Sequence, residues 1–185
     1  MQKDMTLLDL WKEGGTAKYP TDKEAVHHYL KAYEELMAPY KYRDINIFEI
    51  GYLDGGSLRL WEDYFPNAWI KGIDITDQYR LVNGVPLGAR VKIELKDART
   101  LKVEYFNDFR PDIIIDDGSH LIEDWLRNIP ILYEALNKGG LMIIEDIHHL
   151  DEHRELFKGL QIPFQVLDLR EEFNRWDNVC LIYRK

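Results

Sequence analysis

Between residues 21 and 39 the apolar side chains recur at helical spacing, with Val26, Tyr29, Leu30, Tyr33, Leu36 and Met37 on one stripe and Pro39 at its end. Thr21 followed by Glu24 three residues on has the form of a capping box, so a helix is expected to start there. From residue 45 the pattern changes to short β-prone runs at 45–50, 68–75, 91–95, 112–115, 141–144, 164–169 and 179–183. Helical spacing returns after Ser57, in Leu58, Leu60, Trp61, Tyr64 and Phe65, and again over 122–136, where Gly139 and Gly140 supply the C-terminal stop.

The strand runs lack in/out alternation and are separated by helices, which predicts a parallel sheet covered on both faces. The last two runs follow each other with only a charged turn between them, so they are expected to form an antiparallel edge hairpin. The expected fold class is α/β: a Rossmann-like, doubly wound, mostly parallel sheet. One domain over residues 1–185 accommodates it, with 1–40 as a helical segment covering the site.

Composition agrees with a packed domain: 45% of the residues are hydrophobic and 12% aromatic. Charge narrows the partners. Asp plus Glu outnumber Lys plus Arg by 33 to 24, for a net charge of -9, and such a surface repels nucleic acid and anionic lipid. No run approaches the length of a membrane span, and Lys3 and Asp4 break any signal-like start. The lone cysteine, Cys180, sits in an apolar run as a buried filler, which points to a reducing, cytoplasmic setting. A homo-oligomer is left open.

The first strand runs into Glu49-Ile50-Gly51-Tyr52-Leu53-Asp54-Gly55-Gly56-Ser57, where an open α/β sheet places a nucleotide-like ligand. The glycines permit close backbone approach, and the amides of the next helix can receive a carboxylate. Asp74, at the tip of the second strand beside Ile75, is placed to accept both hydroxyls of a ribose. Asp97-Ala98, beyond the third strand, would meet an adenine amino group. Three residues separate Gly51 from Gly55, which is not the dinucleotide spacing, and there is no P-loop lysine. Both absences favour S-adenosylmethionine.

Two adjacent strand ends carry acids: Asp116-Asp117-Gly118-Ser119-His120 after the fourth strand and Glu145-Asp146-Ile147-His148-His149 after the fifth. In a parallel sheet Asp117, Glu145 and Asp146 would converge, and three crowded carboxylates call for a cation. An all-oxygen set suits Mg²⁺, Mn²⁺ or Ca²⁺ better than zinc. His120 is then a candidate general base for a substrate hydroxyl acidified by the metal. His148 and His149 are read as surface groups or as support for the ligands, and His27 and His28 as half-buried or solvent-facing, with an edge of the pocket as the lesser alternative for one of them.

The chain resembles a known family at Glu49-Ile50-Gly51, Ser57-Leu58-Arg59-Leu60-Trp61, Tyr64-Phe65-Pro66-Asn67-Ala68, Gly72-Ile73-Asp74-Ile75, Asp117-Gly118-Ser119-His120 and Ile144-Glu145-Asp146-Ile147-His148. It is similar there to the metal-dependent sugar O-methyltransferases of macrolide biosynthesis, macrocin- and mycinamicin-type, and to cephalosporin-hydroxylase-like proteins. Thr21-Asp22-Lys23, His28-Tyr29 and Tyr33-Glu34 resemble the segment before their catalytic domain.

The resemblance implies a class I methyltransferase in which Asp117, Glu145 and Asp146 hold Mg²⁺ (or Mn²⁺) and His120 is the base. It places Glu49, Gly51, Ser57, Asp74, Asp97 and, as a further candidate, Asp116 around S-adenosylmethionine; Tyr52, Gly55, Ile75 and Ala98, which adjoin them in the turn and at the strand tips, are read as part of the same pocket. The acceptor it implies is a small-molecule hydroxyl, on a sugar or another vicinal diol of a natural product. The extra N-terminal domain of the macrolide enzymes has no counterpart here, and residues 79–90 are an insertion read as a candidate lid. Two rivals are a hydroxylase, for which no two-histidine-one-carboxylate pattern is evident, and a non-catalytic S-adenosylmethionine-binding subunit.

Overall fold

The computed structural model describes residues 4–77, 79 and 84–185. Strands β1 (Asn46–Ile50), β2 (Trp69–Asp74), β3 (Val91–Leu95), β4 (Ile113–Asp116), β5 (Leu141–Ile144), β6 (Phe164–Asp168) and β7 (Val179–Arg184) form a single sheet. Its order is β3-β2-β1-β4-β5-β7-β6. The first five strands pair in parallel, and β7 runs antiparallel between β5 and β6. The edge hairpin expected from the last two runs is therefore present, with its later strand on the inside. Strand order reverses between β1 and β4, so the carboxyl ends of those two strands are where an open sheet receives a ligand.

Each face of the sheet has its own apolar layer. Ile47, Ile70, Ile113 and Ile143 point to one side, against α4 (Gly56–Tyr64) and the N-terminal helices α1 (Leu7–Lys18) and α3 (Leu30–Met37). Phe48, Ile114, Met142 and Ile144 point to the other, against α5 (Ile122–Ala135) and α6 (Leu150–Gly159). The central β4 and β5 are buried at every position, which is why they read as continuous apolar runs rather than alternating ones. Among the described residues no helix is long and apolar enough to cross a membrane.

The helix expected over 21–39 is not continuous. It is split into a single turn, α2 (Asp22–Ala25), and α3, with His28 in the left-handed region at φ 57°. Glu24 does not close a capping box; it lies 3.6 Å from His28, while Thr21 Oγ accepts from the Lys23 amide. The break arises because Lys23, His27, Tyr29 and Tyr33 are all bonded to groups beneath the segment, and those contacts override the local helical period. Of the candidate lid at 79–90, residues 80–83 lie outside the described residues. Around them Val85 donates to the Asp54 carbonyl and Gly88 to Glu62, so the described part lies along α4.

Candidate functional site

The turn after β1 and the tip of β4 touch. Gly51 has φ 83°, and a Cβ added there would lie 2.0 Å from the Asp117 carbonyl oxygen. Only glycine permits this approach, and it sets the turn directly against the acids that follow β4. Beside this contact opens a cavity of about 530 Å³. Gly51, Tyr52, Ser57, Asp74, Ile75, Asp97, Ala98 and Asp116 line it.

Asp74 ties the floor together, accepting from the Leu53 amide at 3.0 Å and from both the amide and hydroxyl of Thr76 at 2.9 and 3.0 Å. Asp97 faces the same space with its carboxylate clasped by Arg99, which holds it below the usual carboxylate range. Burial pushes Asp116 up to about 7.

Glu49 and Gly55 are not among the described residues lining that cavity, a correction to the sequence reading. Glu49 is fully buried beneath the turn, where Trp61 donates to Oε2 at 2.8 Å. Gly55 serves the backbone: at φ 86° it opens α4, and a Cβ there would meet the Tyr79 ring at 2.9 Å.

The acids at the tips of β4 and β5 do converge, and an internal cation lies among them. Lys23 from α2 is 1% exposed, with Nζ 2.6 Å from Asp117 Oδ2, 2.8 Å from Glu145 Oε2 and 3.5 Å from Glu49 Oε1. Burial pulls the ammonium down, but the charges of Asp117, Glu145 and Glu49 outweigh it and hold Lys23 well above the ordinary lysine value. Tyr33 donates to Glu145 Oε1 at 2.7 Å, and Tyr29 donates to Asp146 Oδ1 at 2.7 Å.

His27, read from sequence as half-buried or solvent-facing, is buried. Its Nδ1 lies 3.3 Å from Asp146 and donates to Asn178 Oδ1 at 2.6 Å. An amide oxygen only accepts, so this nitrogen carries the proton. One ammonium faces the four acids Glu49, Asp117, Glu145 and Asp146. Burial first, and the neighbouring Asp117 second, raise Asp146, and the cluster as a whole is short of positive charge.

Asp117, His120 and Asp146 meet on the open side of this cluster, with ligand atoms all within 4.8 Å of one another. Asp117 thus faces two ways: Oδ2 to Lys23, and Oδ1 to His120 Nε2 at 3.7 Å. His120 precedes α5 in the left-handed region, φ 54°, and lines the same cavity. Of the expected residues, the structure brings Asp117, His120 and Asp146 together and joins Glu145 to Asp117 through Lys23. It missed Lys23, His27, Tyr29, Tyr33 and Asn178. The available signal was the tyrosine stripe, since buried phenols need partners.

No family model matches the chain. It is 35% identical over 142 residues to the 8-demethyl-8-alpha-L-rhamnosyl tetracenomycin-C 2'-O-methyltransferase of Streptomyces olivaceus, covering 72% of the chain and 37% of that protein. It is 30% identical over 142 residues to the Mycinamicin VI 2''-O-methyltransferase of Micromonospora griseorubida, covering 71% of the chain and 35% of that protein. The chain spans little more than a third of the length of these curated relatives. Among solved structures, the MycE methyltransferase of the mycinamycin biosynthetic pathway, in complex with Mg and SAH, superposes with TM-score 0.69 at 22% identity. That superposition covers 92% of this chain and 53% of the other. The fold is that of class I methyltransferases.

Proposed function

Given that the chain is a homologue of the sugar O-methyltransferases of macrolide and polyketide pathways, we propose that it transfers a methyl group from S-adenosylmethionine to a hydroxyl of a sugar or similar vicinal diol, with the help of a divalent metal. The observation that carries this reading is the meeting of Asp117, His120 and Asp146 at the edge of the cavity floored by Asp74.

The residues present fit both groups. Asp116 Oδ2, Trp125 Nε1 and Asn128 Oδ1 are buried polar atoms without protein partners around the cavity. The carboxylates of Asp117 and Asp146, in a cluster short of positive charge, suit a divalent cation, and His120 stands beside them as the base. S-Adenosylmethionine supplies an electrophilic methyl, and Mg²⁺ or Mn²⁺ supplies the charge that acidifies and orients a neighbouring hydroxyl.

The chain's own contribution is placement. Asp74 takes the ribose hydroxyls, and Asp97 and Ala98 flank the base. Asp117 and Asp146 hold the ion, held in turn by Lys23, Tyr29 and His27. Glu145 stays in the set as the third acid; both its oxygens accept here, from Lys23 and Tyr33, and each keeps a further lone pair. His120 removes the proton from the acceptor hydroxyl. Holding two reactants in line supplies much of the acceleration.

The test is methyl transfer from S-adenosylmethionine to methyl α-L-rhamnopyranoside with Mg²⁺, for the unaltered chain, His120→Ala and Asp117→Asn. Loss of at least 100-fold in both variants is expected for a base and a metal ligand. Undiminished activity in both would sink the assignment. Calorimetry with Mn²⁺ separates the two roles of His120: as base its loss leaves metal affinity intact, as ligand it does not. A non-catalytic binder would take the methyl donor and transfer nothing.

A further inference from the structure

Beside His120, among residues that do not themselves line the nucleoside cavity, lies an aromatic ledge. The His148 ring stacks on His120, with centroids 5.8 Å apart and planes at 18°. Trp176 covers His148 at 4.6 Å and approaches His149 at 6.1 Å, yet its side chain is 60% exposed. Single exposed apolar residues are ordinary on a mobile surface. Trp176 is not on one.

Its neighbours are fastened on both sides. Arg175 Nε lies 2.7 Å from Asp177 Oδ1, the Asn178 amide donates to the Arg175 carbonyl at 3.2 Å, and Asn178 is fully buried against His27. The segment between β6 and β7 thus presents an indole to solvent, one imidazole away from the proposed base. An aromatic face flanked by fastened neighbours leaves most of its area unburied, and contact with a ligand would bury it.

We propose that Trp176 and His148 form the acceptor subsite, on which the C–H face of a pyranose ring lies while one of its hydroxyls reaches His120. This rests on the function proposed above and adds the part of the molecule that chooses a sugar. A pyranose shows one face of carbon-bound hydrogens and a rim of hydroxyls. The indole takes the face, and the rim turns toward Asp117, His120 and Asp146. His120 also lines the nucleoside cavity, so a hydroxyl that reaches it from the ledge stands at the edge of that cavity, beside rather than behind the imidazole.

The experiment compares the unaltered chain with Trp176→Ala and Trp176→Phe. Methyl transfer to methyl α-L-rhamnopyranoside and to ethane-1,2-diol, a diol with no ring face, is measured alongside S-adenosylmethionine affinity. Trp176→Ala should raise KM for the rhamnoside at least tenfold, with kcat falling less and with a smaller loss for ethane-1,2-diol. Trp176→Phe should recover part of that loss. Equal losses for the two acceptors, or an unchanged KM, overturn the subsite while leaving the methyltransferase reading standing. A changed sedimentation coefficient with unchanged KM also overturns it, in favour of a protein contact. If the unaltered chain methylates neither acceptor, both readings fall. Circular dichroism and methyl-donor affinity report whether each variant is folded.

Discussion

Lys23 Nζ and Asp117 Oδ2 lie 2.6 Å apart although 94 residues separate them in the chain. Through this pair the N-terminal segment reaches under the sheet tips and fixes one oxygen of an acid whose other oxygen faces His120. Lys23 also binds Glu145, so one ammonium sets the spacing of the acids from β4 and β5. The covering segment is therefore part of the site's electrostatics as well as of its core.

Removing that ammonium should leave buried carboxylates facing each other. Lys23→Met is expected to cost about 3–5 kcal/mol, the usual penalty for breaking a buried ion pair from one side. For a chain of this size that lowers Tm by roughly 10 °C. Scanning calorimetry in EDTA measures it. Because the lost charge is the cause, adding Mn²⁺ should raise Tm more in Lys23→Met than in the unaltered chain. An equal response would mean that Lys23 acts only through packing.

Gly51→Ala tests the contact between the glycine turn and the β4 tip. The new Cβ would demand space occupied by the Asp117 carbonyl, at a φ of 83° that alanine adopts only under strain. A loss of about 3 kcal/mol is expected by urea denaturation. Mn²⁺ affinity should fall with it, since Asp117 must move. Retained metal affinity in a destabilised variant would separate the turn from the metal site.

The sheet could be read from the sequence because its signals are local. Strands β3 and β5 have the expected bounds, and Asp74, Asp117 and Glu145-Asp146 follow apolar runs that end where the chain leaves the sheet. The acids were legible for the same reason: a strand tip is a position in sequence as well as in space. Lys23 and Tyr33 reach Glu145 across 122 and 112 residues, and no periodicity within 21–39 encodes that. The stripe of Tyr29, Tyr33 and Met37 gave the buried face of the segment correctly, but it concealed the break at His28. Glu49 was misplaced because the glycine turn was read as one ligand-facing unit. Within a strand successive side chains point to opposite faces, and Glu49 faces Lys23 while Ile50 faces the cavity side.

Asp74→Asn should weaken S-adenosylmethionine binding by about 10- to 100-fold, with little effect on Mn²⁺ affinity. Its carboxylate already orders Leu53 and Thr76, and the proposed ribose contact uses the lone pairs that remain. An amide replaces one acceptor with a donor, and a hydrogen bond to a charged group contributes about 1.5–3 kcal/mol. Isothermal calorimetry with each ligand decides the point. Equal weakening of the metal would show that the variant disturbs the whole set of strand tips.

Asp116 gives the apo protein a pH dependence that can be isolated. Its carboxyl is buried, and burial lifts it from the ordinary 3.8 to about 7 in the folded state. Between those two values the folded chain keeps a proton that the unfolded chain has released, so stability falls as pH rises. The contribution is fully present below pH 3.8 and is lost as pH climbs through about 7, for an upper figure of about 4 kcal/mol. Asn resembles the protonated carboxyl and does not titrate. Asp116→Asn should therefore have the flatter profile, matching the unaltered chain below about pH 3.8 and exceeding it by a margin that grows up to about pH 7, in unfolding experiments without metal or methyl donor. Parallel profiles across that range would mean that Asp116 is already ionised in the folded chain, and that the cavity tolerates its charge.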